Sequence, residues 1–126
     1  MTRIRLTPTE KADLICTLTQ AYRRAAEALR FERSFLDELS PSDPAFDQQE
    51  QRISDLEAYC DDFEVWLDEF IAEPLQDGCV CEVDLNGAWS VMTDFERLAW
   101  QSRMLAPVFL TLENVVQQME RRVLSD

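Results

Sequence analysis

The sequence predicts a mainly α protein, an antiparallel three-helix bundle with a kinked last helix and a short β-hairpin before it. Apolar residues recur at three- and four-residue steps over three long stretches, which is typical of amphipathic helices. Both glycines of the protein fall in one short segment, 77–92, between the second and third stretches. At 126 residues the chain is expected to form a single acidic helical domain, 1–126.

The first helix has a clear predicted start at Thr7. The sequence Thr7-Pro8-Thr9-Glu10 is a capping box with proline in the first helical position. An apolar stripe follows, from Leu14 to Leu39, in steps that keep it on one helical face. We expect this helix to end in the segment 39–44, where two prolines and two serines favour a turn.

The second helix is predicted to begin after Asp43 as a cap, with Pro44 in its first turn. Gln49 alone interrupts its heptad pattern of apolar residues. Glu73-Pro74 should end the helix, because a residue before proline disfavours the helical conformation. The heptad positions are Phe46, Ile53, Leu56, Cys60, Phe63, Leu67 and Phe70.

A β-hairpin is predicted next, with Asn86-Gly87 as its two-residue turn. This dipeptide between two β-prone runs is the strongest short signal for a hairpin. The competing interpretation is an irregular loop that ends in an early helix start.

The last helix is predicted to begin at a second capping box, formed by Thr93 and Glu96. The heptad phase of its apolar residues continues across Pro107. A kinked helix is therefore expected there, in preference to two independent helices.

Charge is distributed very unevenly along the chain, whose net charge is −13. Residues 1–36 carry seven basic and four acidic groups, a net +3, and residues 85–126 carry a net −1. Residues 37–84 carry sixteen acidic groups and one basic group, Arg52, a net −15. A block of this sign repels phosphates and anionic lipid, so we expect neither nucleic acid nor a membrane to bind directly.

The heptad pattern of the second helix turns its carboxylates away from the core. Like charges three or four residues apart destabilise a helix by ~0.2–0.5 kcal/mol per pair, and several carboxylates here have that spacing. The alternative to a functional surface is a solvated one that keeps the protein soluble. Because solubility does not require like-charge pairs, the sequence favours a surface that imitates nucleic acid charge and binds the basic surface of a nucleic-acid-binding protein. The predicted contact residues are Glu57, Asp61, Asp62, Glu64, Asp68 and Glu69.

In size, charge and helical content the chain is similar to the small acidic proteins that phages and plasmids use against host defences. These are the anti-restriction DNA mimics and some anti-CRISPR proteins. The resemblance implies an inhibitor that occupies the nucleic-acid-binding surface of a host effector.

Enzymatic chemistry has little support in the sequence, which contains no histidine. That absence removes the usual general base and most transition-metal sites. Two carboxylate pairs, Glu10-x-x-Asp13 and Asp61-x-x-Glu64, have the spacing that helical Mg²⁺-dependent nucleotide pyrophosphohydrolases use. The first pair belongs to a capping box, and the heptad pattern turns the second outward. We therefore predict no enzyme, no catalytic residue, no metal and no cofactor, with a nucleotide hydrolase as the third interpretation.

The four cysteines offer one further candidate site. Cys79 and Cys81, with Cys16 and Cys60, would supply the four thiolates of a zinc site. The Cys79-Val80-Cys81 spacing is shorter than the usual C-x₂₋₄-C pairs. Reduced thiols with no metal are the favoured interpretation.

The second function class is a structural or adaptor module that forms a homodimer through an apolar face. The stripe of the first helix and residues such as Phe31, Val65 and Trp89 would supply that face. The beginning of the chain has no apolar leader, and no stretch has the length of a membrane span. A cytoplasmic location is expected.

Overall fold

A computed structural model describes residues 1–125 of the protein. The prediction of a mainly α protein is confirmed, since four helices account for most of these residues and the two strands are short. No helix in this range is long and apolar enough to cross a membrane. The elements are β1 (Thr2–Arg5), α1 (Pro8–Glu38), α2 (Phe46–Ala72), β2 (Val80–Val83), α3 (Leu85–Ala99) and α4 (Ala106–Arg121).

Helix α1 begins and ends where the sequence predicts. The side chain of Thr7 accepts the backbone N–H of Glu10, and the Glu10 side chain accepts the backbone N–H of Thr7. This capping box satisfies two backbone donors that a helix start leaves unpaired. The predicted stripe forms the buried face of α1, in which Leu14 and Leu18 lead into a run of small residues, Ala21, Ala25 and Ala28.

Helix α2 buries the predicted heptad stripe, but it begins slightly later than expected. Asp43 does not cap the helix; its Oδ1 accepts the backbone N–H of Ala45 at 2.8 Å, so residues 43–45 form a turn ahead of Phe46. Ala45 takes the cap position, and Pro44 lies outside the helix. The helix ends at Ala72, as Glu73-Pro74 predicts.

The predicted β-hairpin around Asn86-Gly87 is wrong. Strand β2 pairs instead with β1 in an antiparallel register that joins Thr2 to Val83 and Arg5 to Val80. Asn86 and Gly87 lie in the first turn of α3. The physical reason is a helix cap that the sequence interpretation missed, in which Asp84 Oδ1 accepts the backbone N–H of Gly87 at 2.9 Å.

The other edge of β1 meets the segment after α4. Ile4 forms a bridge with Val123, the Arg5 N–H donates to the Arg122 carbonyl at 2.9 Å, and the Leu124 N–H donates to the Arg3 carbonyl at 3.0 Å. Strand β1 is thus paired on both sides, by segments about 80 and about 120 residues further along the chain.

The predicted kinked last helix is two helices, α3 and α4. The segment 100–105 separates them, and Pro107 lies in the first turn of α4, where its missing N–H leaves no hydrogen bond broken. Thr93 does not begin a helix; it lies inside α3, and its hydroxyl donates to the Trp89 carbonyl at 2.8 Å. Leu105 is buried ahead of Pro107, which explains why the apolar phase continues in the sequence.

Gln49, which interrupts the heptad pattern of α2, is buried and has a polar partner on α1. Its side-chain amide donates to the Glu32 carboxylate at 2.5 Å and to the Glu32 backbone carbonyl at 3.0 Å. Glu32 is also buried. The pair therefore joins α1 to α2 by polar contacts inside the apolar interface.

Replacing Asp84 with Ala should lower the free energy of unfolding by about 1 kcal/mol, because α3 loses the side-chain acceptor at its N-terminus. Denaturant unfolding followed by circular dichroism measures the change. Asp84→Asn is the matched control, since Asn also caps helices but carries no charge. An equal loss in both variants would contradict the capping role and assign the effect to charge.

Replacing Gln49 with Leu completes the heptad pattern but should destabilise the protein by ~1–3 kcal/mol, because it leaves the buried Glu32 carboxylate without its donor. The same unfolding measurement applies. The double variant Glu32→Leu/Gln49→Leu removes both polar partners and should recover most of the loss. A Gln49→Leu protein more stable than the parent would show that the polar pair has no stabilising role.

Candidate protein-binding surface

The six predicted contact residues are all exposed on the outer side of α2. We call this surface the acidic face. It exists because the heptad residues of α2 are buried against α1 and α3, which leaves the intervening positions to solvent. Its residues are Glu57, Asp61, Asp62, Glu64, Asp68 and Glu69.

The acidic face consists of two rows along the helix. Residues 57, 61, 64 and 68 recur at three- and four-residue steps and form the row beside α1. Asp62 and Glu69 are seven residues apart and form the row beside α3. Val65, which is 60% exposed, lies between the two rows. An exposed apolar side chain therefore separates them.

Two residues of the row beside α1 have partners on that helix. An Arg33 guanidinium nitrogen lies 3.0 Å from Glu57 Oε2 in an ion pair that is about half exposed on both sides. The Tyr22 hydroxyl donates to Glu64 Oε2 at 2.5 Å. This hydrogen bond, together with burial, raises the pKa of Tyr22 to about 12, because it favours the protonated phenol beside a charged carboxylate.

The row beside α3 borders a groove of about 260 Å³ between α2 and α3. Asp62 and Glu69 line it together with Asp84, and Trp66 and Val91 supply apolar walls. Burial and the nearby charge of Asp62 raise the pKa of Asp94 on α3, although Arg97 acts in the opposite direction. The negative surface therefore continues from α2 onto α3.

The sequence interpretation missed three contributors to this surface: Tyr22, Asp84 and Asp94. Tyr22 belongs to the apolar stripe of α1, and no local signal places its hydroxyl beside Glu64. A hairpin that turns at Asn86-Gly87 would place Asp84 in a strand, although its spacing of three residues from Gly87 is compatible with a helix cap.

Four of the six carboxylates have neither an ion-pair partner nor a hydrogen-bond partner within residues 1–125. Arg33 is the one arginine in this range whose ion pair reaches the acidic face. An exposed, unpaired carboxylate keeps its charge and its hydrogen-bond acceptors available to another molecule. The unpaired carboxylates are Asp61, Asp62, Asp68 and Glu69.

The two carboxylate pairs considered for Mg²⁺ belong to different elements, one at the start of α1 and the other on the outer side of α2. Glu10 is held by its capping box and by an ion pair with Arg122, and these contacts lower the pKa of Glu10, the backbone hydrogen bond at Thr7 most strongly. Glu64 is held by Tyr22 on the outer side of α2. Within the described part of the chain, no group of three or more candidate ligands is positioned to hold a metal ion.

The four cysteines are all free thiols in different surroundings. Cys16 is exposed on α1, and Cys60 is buried on the core side of α2. Burial, and next the charge of Asp61, raises the pKa of Cys60 to about 12, so this thiol is protonated at neutral pH. Burial likewise raises the pKa of Cys81, which lies in β2, while Lys11 opposes the rise.

Comparison with known proteins gives no match: no family model, no curated protein and no solved structure is similar to the chain. The likeness to anti-restriction and anti-CRISPR proteins is one of size, charge and helical content alone. The acidic face is therefore interpreted from its own geometry and charge.

Glu64→Gln should return the pKa of Tyr22 toward its ordinary value of 10, because it removes the charged acceptor. Ultraviolet absorbance during alkaline titration measures the phenolate, and Tyr22→Phe identifies which transition belongs to this residue. An unchanged Tyr22 transition in Glu64→Gln would contradict the hydrogen bond.

The same shift makes folding stability depend on pH. The folded state binds the Tyr22 proton more tightly than the unfolded state does, so this contribution is complete below pH 10 and is lost as pH rises from 10 toward 12. Thermal unfolding across this range should show a smaller alkaline loss in Tyr22→Phe than in the parent.

Proposed function

We propose that this protein is a non-enzymatic inhibitor that binds, through its acidic face, the basic nucleic-acid-binding surface of a host effector in the cytoplasm. The observation that supports the proposal best is the set of four exposed carboxylates of the acidic face that have neither an ion-pair partner nor a hydrogen-bond partner in residues 1–125. Anti-restriction and anti-CRISPR inhibitors are the class that this proposal specifies.

The spacing of the carboxylates on the acidic face suits a partner whose basic surface binds nucleic acid phosphates. A helix rises about 1.5 Å per residue, so carboxylates seven residues apart recur every ~10.5 Å. Neighbours at three- and four-residue steps fill the interval at ~5–6 Å. DNA presents one charge per ~1.7 Å of its axis, so the acidic face offers a sparser row that Lys and Arg side chains can still contact.

The energetic cost of the acidic face indicates a use beyond solubility. Glu57/Asp61, Asp61/Glu64 and Glu64/Asp68 are like-charged neighbours, which together destabilise α2 by about 1 kcal/mol. Arg33 offsets this repulsion at one position only. Binding of a basic partner would relieve the rest, and the long-range attraction would speed association at low salt.

Displacement of proteins from DNA tests the proposal. Bacterial lysate, with its nucleases inhibited by a metal chelator, is bound to a double-stranded DNA resin, and the protein is added as eluent. It should release a nucleic-acid-binding protein at low salt, with release falling steeply as salt rises, because the contacts are exposed ion pairs. Mass spectrometry identifies what is released.

Two variants with equal charge make the test specific. Asp61→Asn/Asp62→Asn/Asp68→Asn/Glu69→Gln neutralises the unpaired carboxylates and should raise the concentration for half release at least about fourfold, since each exposed ion pair contributes ~0.2–1 kcal/mol. Asp13→Asn/Asp37→Asn/Asp77→Asn/Glu120→Gln neutralises four exposed carboxylates outside the acidic face and should release the protein as the parent does. Equal behaviour of the two variants would refute the proposal.

A further inference from the structure

A second exposed surface, near the C-terminal end of α1, consists of apolar side chains. Phe31 and Phe35 lie 14 and 18 residues after Thr17, spacings that keep all three on one side of the helix. Thr17 lines a groove together with Leu110, Thr111 and Asn114, so this side of α1 is the one that packs on α4. The two phenylalanines lie on the same side of α1, at a level past the first residue of α4, so α4 does not cover them.

The segment between α3 and α4 lies at the same end of the molecule. The ion pair between Glu10 and Arg122 and the groove shared by Thr17 and Asn114 show that α1 and α4 run antiparallel. Because α4 begins at Ala106, the segment 100–105 that precedes it lies toward the end of the molecule where α1 carries Phe31 and Phe35. Trp100 and Met104, both exposed, therefore lie at the same end of the molecule as Phe31.

These four residues, which we call the apolar end, expose a large apolar area. Trp100 is 84% exposed, Phe31 56%, Phe35 43% and Met104 39%. A whole aromatic side chain offers about 150–250 Å², so the apolar end presents on the order of 450 Å². A patch of this size on a monomer commonly marks an interaction site.

We propose that the apolar end is the interface of a homodimer, with a second copy of this chain as its occupant. Two copies meeting there would bury on the order of 900 Å² of apolar end alone, and the polar rim would take the total past the ~1,000 Å² that a specific interface needs. Trp100 has the size and exposure of a residue that contributes strongly to such interfaces.

The charge distribution leaves the apolar end as a place where a second copy can bind. Two molecules of net charge −13 repel each other, so an interface must keep their acidic blocks apart. The apolar end lies on residues 1–36 and 85–126, whose net charges are +3 and −1. It occupies the α4 side of α1, whereas Arg33 and Tyr22 of α1 meet the acidic face of α2 on the other side. This inference is independent of the proposed inhibitor function.

Sedimentation equilibrium of the whole chain tests the dimer, over a range from about 1 μM to about 200 μM that brackets micromolar affinity. The parent mass should rise with concentration from 14.7 kDa toward twice that value. Phe31→Gln/Trp100→Gln should raise the dissociation constant at least tenfold. Because both side chains are largely exposed in the monomer, circular dichroism should show an unchanged fold.

Val65→Gln/Trp89→Gln is the control, since it removes two exposed apolar side chains from other surfaces and should leave the dimer intact. Raising the salt concentration should preserve or strengthen the parent dimer, because it screens repulsion and does not weaken apolar contacts. A parent mass of 14.7 kDa at every concentration would overturn the proposal. A Phe31→Gln/Trp100→Gln protein that dimerises like the parent would overturn it equally.

Discussion

The contacts of Phe63 are the constraint on which the arrangement of the helices depends. Its fully buried ring makes edge contacts with Tyr22 of α1, at 5.7 Å between centroids, and with Phe95 of α3, at 5.8 Å. Because a helix turns about 100° per residue, fixing Phe63 inward fixes Asp62 and Glu64 outward on opposite flanks. The orientation of α2 about its own axis therefore determines both the core packing and the positions of the two acidic rows.

Features that depend on neighbouring residues could be predicted from the sequence. The capping box at Thr7 and Glu10 specified the start of α1, and the heptad repeat specified which side of α2 is buried. The exposure of the acidic face followed directly, since positions between heptad residues point outward. Even Gln49, an exception to the repeat, occupied a predicted core position, although its partner Glu32 was not foreseen.

Features that depend on distant residues could not be predicted in the same way. Asn-Gly favours a hairpin turn, but Asp84 caps a helix over the same residues, and the choice is decided by β1, which occupies the edge of β2 that a hairpin would need. Pro107 is compatible with a kink or a helix start, and the buried Leu105 ahead of it favours a start. The Tyr22–Glu64 contact depends on the register between two helices, which no local pattern specifies.

The pairing of β1 also sets an order for folding during synthesis. Helices α1 and α2 contact each other within the first 72 residues of the chain, so they can pack as soon as both have left the ribosome. Strand β1 has no partner until residue 83 is made, and its second edge has none until residue 123. During that interval an open strand edge can pair with another chain, and the exposed charges of Arg3 and Arg5 oppose such aggregation.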